Sequence, residues 1–215
     1  MNSMIKKILH AGVPVPRLIR PVVRVLYRSG VVMVEGAALL RKIFWVEPIL
    51  RSICAEMGSG LRAERLPYIR GSGHIRIGNN VHLSGRSCFY FISGTPVTPE
   101  IVVGDHAFIG SGCTFSAGAS ISIGAHCLIS SGVRIHDNDG HPVDPERRRR
   151  SDRISANEVA LVVIEDNVWI GANATILKGV HIGANSVIGT GAVVTDSVPR
   201  DQVVAGNPAR MVKSL

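Results

Sequence analysis

The fold is decided by the stretch IEDNVWIGANATILKGVHIGANSVIGTGAVV, which runs from Ile164 to Val194. Every sixth residue in it is Ile or Val, and glycine directly follows three of these positions, as in Ile170-Gly171. A period of six matches neither the helical repeat nor the alternation of a single strand. It predicts a short strand followed by a turn, with one apolar side chain pointing inward in each step.

The same spacing recurs nearer the N-terminus. Three steps of six residues close one triangular coil, and stacked coils bury their apolar residues in columns. We therefore predict an all-β solenoid, a parallel β-helix, over residues 71–215. Its five coils are marked by Ile77, Leu83 and Phe89; Val103, Ile109 and Phe115; Ile123, Ile129 and Ile135; Ile164, Ile170 and Ile176; and Ile182, Ile188 and Val194.

The repeat has one long interruption, at about residues 136–162. This segment contains His-Pro, Asp-Pro and the run Arg147 to Arg150, which predicts a loop extruded from the coil. Pro199 and Gly206-Asn207-Pro208 then break the repeat near its end. Residues from about 199 to 215 are predicted to cap the stack of coils or to return along it.

Residues 1–70 lack the repeat and are predicted to be mainly helical. Glu47-Pro48 is typical of a helix start, and Gly58-Ser59-Gly60 of its end. Charged residues interrupt the apolar stretch from Val22 to Leu50, so no bilayer-spanning helix is predicted. Proline and histidine interrupt the first twenty residues, which argues against a cleaved signal peptide.

The excess of positive over negative charge is confined to this N-terminal region. The 215 residues carry 24 Lys+Arg and 16 Asp+Glu, a net charge of +8. Residues 1–70 account for all of it, with twelve basic and four acidic side chains, whereas the remainder is balanced. Because a nucleic-acid binder carries its basic surface on its main fold, and because aromatic residues make up only 5%, nucleic acid is disfavoured as a partner.

Two interpretations of the basic region remain open. Residues 17–57 either pack on the β-helix or a neighbouring subunit, or dock on an anionic membrane face. The four cysteines show no metal-ligand spacing, so a reducing cytoplasm, with possible contact at the inner membrane face, is the expected location.

Three segments carry a resemblance to a known family: DNDGHPVDP from Asp137 to Pro145, the repeat stretch extended to Val163 and Pro199, and VVAGNPARMVK from Val203 to Lys213. With these, the chain resembles the hexapeptide-repeat acyltransferases with a left-handed β-helix. Among them it is similar to sugar O-acetyltransferases such as galactoside and maltose acetyltransferases, and to glycan-biosynthesis transacetylases. The resemblance implies a left-handed coil, a homotrimer with sites between subunits, and acetyl transfer from acetyl-CoA to a sugar or glycan-precursor hydroxyl.

The resemblance places the catalytic histidine at His141, in Gly140-His141-Pro142. A near-neutral imidazole suits the role of general base, because an alcohol must lose its proton as it attacks a thioester. A carboxylate, from Asp139 or Asp137, or a backbone carbonyl is expected to orient the ring. The cofactor-binding positions implied by the family are Trp169, Ala172, Thr190, Arg210 and Lys213, and no metal is expected.

Other functions remain to be weighed. His136 and His141 share a spacing with the zinc-binding γ-type carbonic anhydrases of the same fold, with His106 or His126 as a third ligand. A serine O-acetyltransferase and a scaffold without catalysis are further alternatives. The run Arg147 to Arg150 is either a solvated charge cluster or a site that steers an anion toward His141.

Overall fold

A computed structural model describes residues 15–95 and 97–215. The signal-peptide prediction concerns a segment whose first fourteen residues lie outside the described chain. The chain divides into two compact units, Met1–Arg41 and Lys42–Leu215.

The first unit consists of helix in its described part, as predicted. A 3-10 turn at Arg17–Ile19 leads into α1, which spans Arg20–Arg41 and has no buried residue. Pro21 occupies the first turn of α1, where its missing N–H leaves no hydrogen bond unmade. Within residues 15–95 and 97–215, no helix combines the length and the apolar character needed to cross a membrane.

The second unit begins with a π-helical turn, Lys42–Val46, and the short helix α2, Glu47–Ile53. Val46 and Leu50 are buried in the core of this unit. The helix starts at Glu47-Pro48 as predicted, but it ends at Ile53 and not at Gly58. The reason is that Ala55 N–H donates to Ile75 O at 2.8 Å, and the chain continues as a strand.

Twenty short strands follow within the described chain. They are β1 (Glu56–Met57), β2 (Arg62–Ala63), β3 (Tyr68–Arg70), β4 (His74–Ile77), β5 (His82–Leu83), β6 (Cys88–Phe91), β7 (Glu100–Val103), β8 (Phe108–Ile109), β9 (Thr114–Ala117), β10 (Ser120–Ile123), β11 (Leu128–Ile129), β12 (Arg134–His136), β13 (Val162–Ile164), β14 (Trp169–Ile170), β15 (Thr175–Ile176), β16 (His181–Ile182), β17 (Val187–Ile188), β18 (Val193–Val194), β19 (Gln202–Ala205) and β20 (Arg210–Ser214).

Strands β1 to β18 form three sheets in which each strand pairs in parallel with the strands three positions before and after it in this series. Sheet A has the order β1-β4-β7-β10-β13-β16, and sheet C runs from β3 to β18 in the same manner. Sheet B runs from β2 to β17 and continues into β19 and β20. From β1 to β18, successive strands therefore belong to sheets A, B and C in turn. This arrangement is the three-sided coil predicted from the period of six.

The described chain contains six such coils, one more than predicted. The first coil lies before residue 71, where the β-helix was expected to begin, and its inward positions are Met57, Ala63 and Ile69. They keep the spacing of six, but methionine and the small alanine do not stand out as members of an aliphatic column. Ala63 is nevertheless buried beneath its register partner Leu83.

The predicted columns form the core. In sheet B, Leu83, Ile109, Ile129, Ile170 and Ile188 are register partners in succession, and each is at most 3% exposed. In sheet C the rings of Phe89 and Phe115 stack with their centroids 5.2 Å apart. Each inward residue thus packs against the equivalent residue one coil above and one coil below.

The cysteines are free thiols, in agreement with the absence of a disulfide pattern. Burial raises the pKa of Cys54, Cys113 and Cys127 to about 11. These three thiols are therefore protonated at neutral pH, and Cys113 and Cys127 serve as small core residues.

The predicted interruption is the segment between β12 and β13, here called the insertion loop (residues 137–161). It contains a short helix, α3 (Pro145–Arg149), and a 3-10 turn, Ala156–Glu158. At the C-terminal end, β19 pairs in parallel with β17, and β20 returns antiparallel to β19. The final segment thus extends sheet B and folds back along it.

The column geometry predicts a strong contrast within β11. Ile129 is fully buried, whereas Leu128 is 46% exposed. We expect Ile129→Ala to lower the free energy of unfolding by about 2–5 kcal/mol, because it removes inward methyl groups and leaves a cavity. Leu128→Ala, the matched control, is expected to change it by less than about 1 kcal/mol. Urea denaturation followed by circular dichroism measures both, and equal losses would contradict the assignment of inward and outward faces.

Candidate active site

The insertion loop is anchored to the coil by Asp137, whose side chain is fully buried. Its Oδ1 accepts a hydrogen bond from Gly118 N–H at 2.6 Å, and its Oδ2 accepts one from Ala119 N–H at 2.7 Å. Asn138 Nδ2 also donates to Oδ1, at 2.8 Å. Both carboxylate oxygens are occupied, so Asp137 ties the start of the loop to the turn between β9 and β10.

Asn138 shapes the backbone just before His141. Its Nδ2 donates to Ser116 O at 2.9 Å, while its Oδ1 accepts from Gly140 N–H at 2.9 Å. Gly140 has a φ of +74°, a conformation that glycine adopts without steric cost. The Gly-His-Pro motif therefore begins with a turn that depends on both Asn138 and Gly140.

Glu158 fixes the backbone just after His141. One of its oxygens accepts from Val143 N–H at 3.1 Å, and the other from Ser155 N–H at 2.7 Å and Arg147 Nη1 at 3.0 Å. These donors, foremost the Ser155 backbone N–H, lower the pKa of Glu158 to about 2. Glu158 is an ionised, buried acceptor that joins the two ends of the insertion loop.

The run Arg147 to Arg150 divides into two pairs with different roles. Arg147 binds Glu158, and Arg148 Nη1 donates to Pro142 O at 3.0 Å and to Val143 O at 2.8 Å. The other two arginines form exposed ion pairs, Arg149 with Glu146 and Arg150 with Asp152. Half of the run therefore supports the backbone around His141, which neither of the two earlier interpretations anticipated.

His141 itself lies at the exposed tip of this supported segment. Asp139, expected as its orienting partner, forms an ion pair with Lys178. Within residues 15–95 and 97–215, no hydrogen bond reaches the His141 ring. The roles of His141 and Asp139 therefore stay predictions, and Asp137 is committed to the backbone of the coil.

An open cleft of about 530 Å³ lies on the outer face of sheet C beside this segment. Gly140, the chain neighbour of His141, belongs to its wall. His136 also lines it, and burial, aided by the nearby Arg134 charge, lowers the pKa of His136, which favours a neutral imidazole. The other lining residues are Tyr90, Thr114, Ser116, Asn138, Asp139, Thr175 and Leu177.

The five cofactor candidates are brought together on sheet B and the turn that follows it. Trp169 begins β14, is 51% exposed, and donates from Nε1 to Ser130 Oγ at 3.4 Å. Arg210 and Lys213 lie on β20, two strands beyond β17 in the same sheet. Ala172 and Thr190 occupy the turns after β14 and β17, where Gly191 N–H donates to Ala172 O at 2.8 Å.

The two groups of candidates occupy different corners of the coil. The insertion loop leaves after a strand of sheet C and rejoins at a strand of sheet A. Ala172 and Thr190 lie where the chain passes from sheet B to sheet C. Sheet C, with its cleft, separates these corners within one chain.

The residues proposed for a zinc site do not converge. His106 and His126 stack with parallel rings at 4.8 Å, in the turns between sheets A and B. His136 lies at the end of a strand in sheet C. Across the part of the chain that the structure describes, no group of three or more His, Cys, Asp or Glu side chains could hold a metal ion.

Sequence reasoning missed the supporting roles of four residues: Asn138, Arg148, Glu158 and Lys178. One of them had a readable signal, because Ser155 and Glu158 form a capping box, a pattern recognisable as Ser-x-x-Glu. The others act through backbone groups or partners distant in the chain, and no spacing rule reveals them.

Two family profiles match the coil. The profile "Bacterial transferase hexapeptide (six repeats)" matches residues 161–196, and "Hexapeptide repeat of succinyl-transferase" matches residues 100–136. Both segments lie within the predicted repeat, on either side of the insertion loop.

Similar proteins cover more of the chain. WbbJ of Escherichia coli K12, by name a lipopolysaccharide biosynthesis O-acetyl transferase, is 32% identical over 71% of this chain and 78% of its own length. The galactoside O-acetyltransferase of the same organism is 34% identical over 59% of this chain and 58% of its own. The hexapeptide-repeat acetyltransferase VCA0836 of Vibrio cholerae, solved with acetyl coenzyme A, is 39% identical with a TM-score of 0.50, over 62% of this chain and 70% of its own.

The chain spans about half the length of the first curated relatives it matches, between 44% and 58%. The similarity to WbbJ extends further, over more than two thirds of both proteins. Together with the two repeat profiles and the three parallel sheets, it shows that the chain belongs to the hexapeptide-repeat acyltransferase family.

Proposed function

We propose that the protein is a cytoplasmic O-acetyltransferase that uses acetyl-CoA to acetylate a hydroxyl of a sugar or glycan precursor. The observation that carries the proposal is the supported Gly140-His141-Pro142 segment beside a polar cleft. Dedicated hydrogen bonds to Asn138, Glu158 and Arg148 hold the backbone on both sides of an exposed histidine. The similarity to two proteins named as O-acetyltransferases supports O-acetyl transfer as the class of reaction.

The proposed chemistry needs one base and one anion-stabilising group. Acetyl-CoA would supply the thioester as co-substrate. The His141 imidazole takes the proton of the acceptor hydroxyl while the hydroxyl oxygen attacks the carbonyl carbon of the thioester. The C–S bond then breaks, and the imidazolium returns the proton to the departing sulfur. Backbone N–H groups of the coil turns are the simplest donors for the oxyanion.

The cleft on sheet C suits a sugar acceptor. Tyr90, Thr114 and Thr175 offer hydroxyl groups on its walls. Such groups pair with sugar hydroxyls, whereas a small amino acid such as serine would require a fixed cation for its carboxylate. A sugar hydroxyl is therefore the favoured nucleophile, and serine is the alternative acceptor to be tested.

We propose a homotrimer in which each site lies between two subunits. The support is the separation of the two corners, since the histidine loop and the cofactor candidates of one chain flank sheet C from opposite sides. Packing around a threefold axis would bring the loop corner of one subunit toward the cofactor corner of its neighbour. Arg210, whose side chain is 68% exposed and forms an ion pair with Asp196 at 3.5 Å, would then exchange that partner for phosphate groups.

The role of His141 predicts a large loss on its removal. We expect His141→Ala to reduce acetyl transfer by about 10²–10⁴-fold, as is usual for loss of a general base. Release of CoA from acetyl-CoA is measured with a panel of galactosides, glucosides, nucleotide sugars and serine. His74→Ala, which changes another exposed histidine on β4, is the control. Full activity of His141→Ala would overturn the mechanism, and a preference for serine would overturn the sugar acceptor.

The intersubunit site predicts complementation between two inactive variants. Subunits of His141→Ala and Arg210→Ala are unfolded together and refolded as a mixture. If loop and cofactor residues come from neighbouring subunits, random assembly restores about a quarter of the sites. Each variant refolded alone is the control. A mixture no more active than the mean of its components would place the whole site within one subunit.

The support of the loop by Glu158 predicts a selective effect on turnover. We expect Glu158→Gln to lower kcat at least about tenfold while the KM for acetyl-CoA changes less than about twofold, because the histidine segment loses its anchor. Limited proteolysis after Arg149 and Arg150 should become faster. Glu146→Gln, on the exposed side of the same loop, should leave both measurements unchanged. If it lowers kcat and speeds proteolysis as much as Glu158→Gln does, the effect is not specific to the Glu158 anchor.

The lowered pKa of Glu158 adds a pH dependence with a defined sign. Because the folded-state pKa is about 2, below the ordinary value, the carboxylate stabilises the loop at all pH values above the ordinary glutamate range. This stability is lost only as the pH falls toward 2. The difference in free energy of unfolding between the unaltered protein and Glu158→Gln should thus be constant above about pH 5 and vanish progressively between about pH 4 and 2. Urea denaturation at each pH measures it, and a difference that does not change with pH would contradict the role of the ionised carboxylate.

A further inference from the structure

Helix α1 exposes an extended apolar surface. Leu26, Met33, Val34 and Leu40 are between 58% and 75% exposed, and no residue of the helix is buried. A helix of 22 residues is about 33 Å long. Apolar surfaces of this size on a protein mark a place where a partner or a membrane binds.

Four of the five charged residues of α1 lie on one narrow face. At about 100° per residue, Arg20, Arg24, Arg28 and Glu35 fall within an arc of about 80°. Val31 and Ala38 are the other members of that arc. The remaining circumference, about 240° wide, is formed mainly by valine, leucine, methionine and tyrosine, with Ser29 and Arg41 as its polar side chains.

The width of the apolar arc distinguishes between two kinds of partner, a second helix and a lipid surface. A second helix contacts a stripe of roughly 100° or less on its partner, so a paired copy of α1 would leave more than half of the arc in water. A lipid surface has no such limit, since acyl chains cover whatever apolar surface enters them. The arginine arc beside the apolar surface matches the phosphate groups of anionic lipids.

We propose that α1 lies lengthwise on an anionic lipid surface. Its valine, leucine and methionine side chains enter the boundary of the acyl chains, and Arg20, Arg24 and Arg28 reach the headgroup phosphates by extending their long side chains outward. The partner is thus a phospholipid bilayer with negative charge, and the chain is held on its surface without crossing it. This proposal rests on α1 alone and is independent of acetyl transfer.

The experiment uses the full chain and vesicles of two compositions. Binding is measured by cosedimentation with phosphatidylcholine vesicles and with vesicles containing phosphatidylglycerol, at low and high salt. We expect binding to the anionic vesicles, weakened by salt because surface charges are screened. Equal binding to both compositions, or binding to neither, would overturn the proposal.

Two variants test the two faces separately. In Arg20→Gln/Arg24→Gln/Arg28→Gln, affinity for anionic vesicles should fall about 100-fold, since each arginine contributes roughly fivefold near such a surface. Arg62→Gln/Arg65→Gln/Arg70→Gln removes the same charge from exposed positions of the first coil and should retain most of the affinity. Leu26→Gln/Met33→Gln, which leaves the charge unchanged, should also lose binding.

Self-association is the alternative outcome for α1. The molar mass in solution is measured by light scattering for each of these proteins. If Leu26→Gln/Met33→Gln lowers the mass of the assembly while vesicle binding is unaffected, α1 is a contact between copies of the chain and the lipid proposal is wrong. An unchanged mass together with lost vesicle binding supports it, whatever the outcome of the acetyl-transfer assays.

Discussion

The structure depends on one constraint: each strand pairs its backbone with the strand three positions away while its inward side chain packs on the same column. Register pairs such as Ile129 with Ile170 satisfy both demands at once. If the register of the strands shifted by one residue, the aliphatic side chains of the columns would point to the solvent, and the coil would have no core. Aliphatic residues at a spacing of six therefore specify the sheets and the core together.

This constraint also decides where variation is tolerated. A corner of the coil can be interrupted without breaking the columns, provided that the chain returns to the same register. The insertion loop does so, because β12 pairs with β9 before it, and β13 pairs with β10 after it. Asp137 and Glu158 then stabilise the loop from its two ends, so that Gly140-His141-Pro142 is presented by a supported backbone. The interruption thus falls at a corner of the coil, whereas the faces keep the columns that form the core.

The coil geometry also places the two halves of the proposed site, the cofactor candidates and the histidine loop, at different corners. Cofactor candidates cluster along sheet B because β14, β17, β19 and β20 are consecutive neighbours there. The histidine loop departs from another corner, and sheet C lies between. The proposal of a site between two subunits rests on this separation of the two corners.

Much of the fold, and the position of the candidate site in the insertion loop, could be predicted from the residues alone. The columns, the interruption, the helix start at Glu47-Pro48 and the family follow from local patterns, since each depends on residues close together in the chain. The first coil was not predicted, because Met57 and Ala63 do not stand out as members of an aliphatic column, although their spacing is correct. The helix end was misplaced because Ala55 hydrogen-bonds to Ile75, a partner twenty residues away.

The site residues show where such reasoning stops. Periodicity and motif determined which segment carries His141 and which segments carry Trp169 and Arg210. Only the tertiary structure decided that Asp137 serves the coil backbone, that Asp139 pairs with Lys178, and that Arg148 supports Pro142. The physical reason is that a repeat encodes its own packing locally, whereas the partner of a polar side chain is chosen by which groups the folded chain brings within hydrogen-bonding distance.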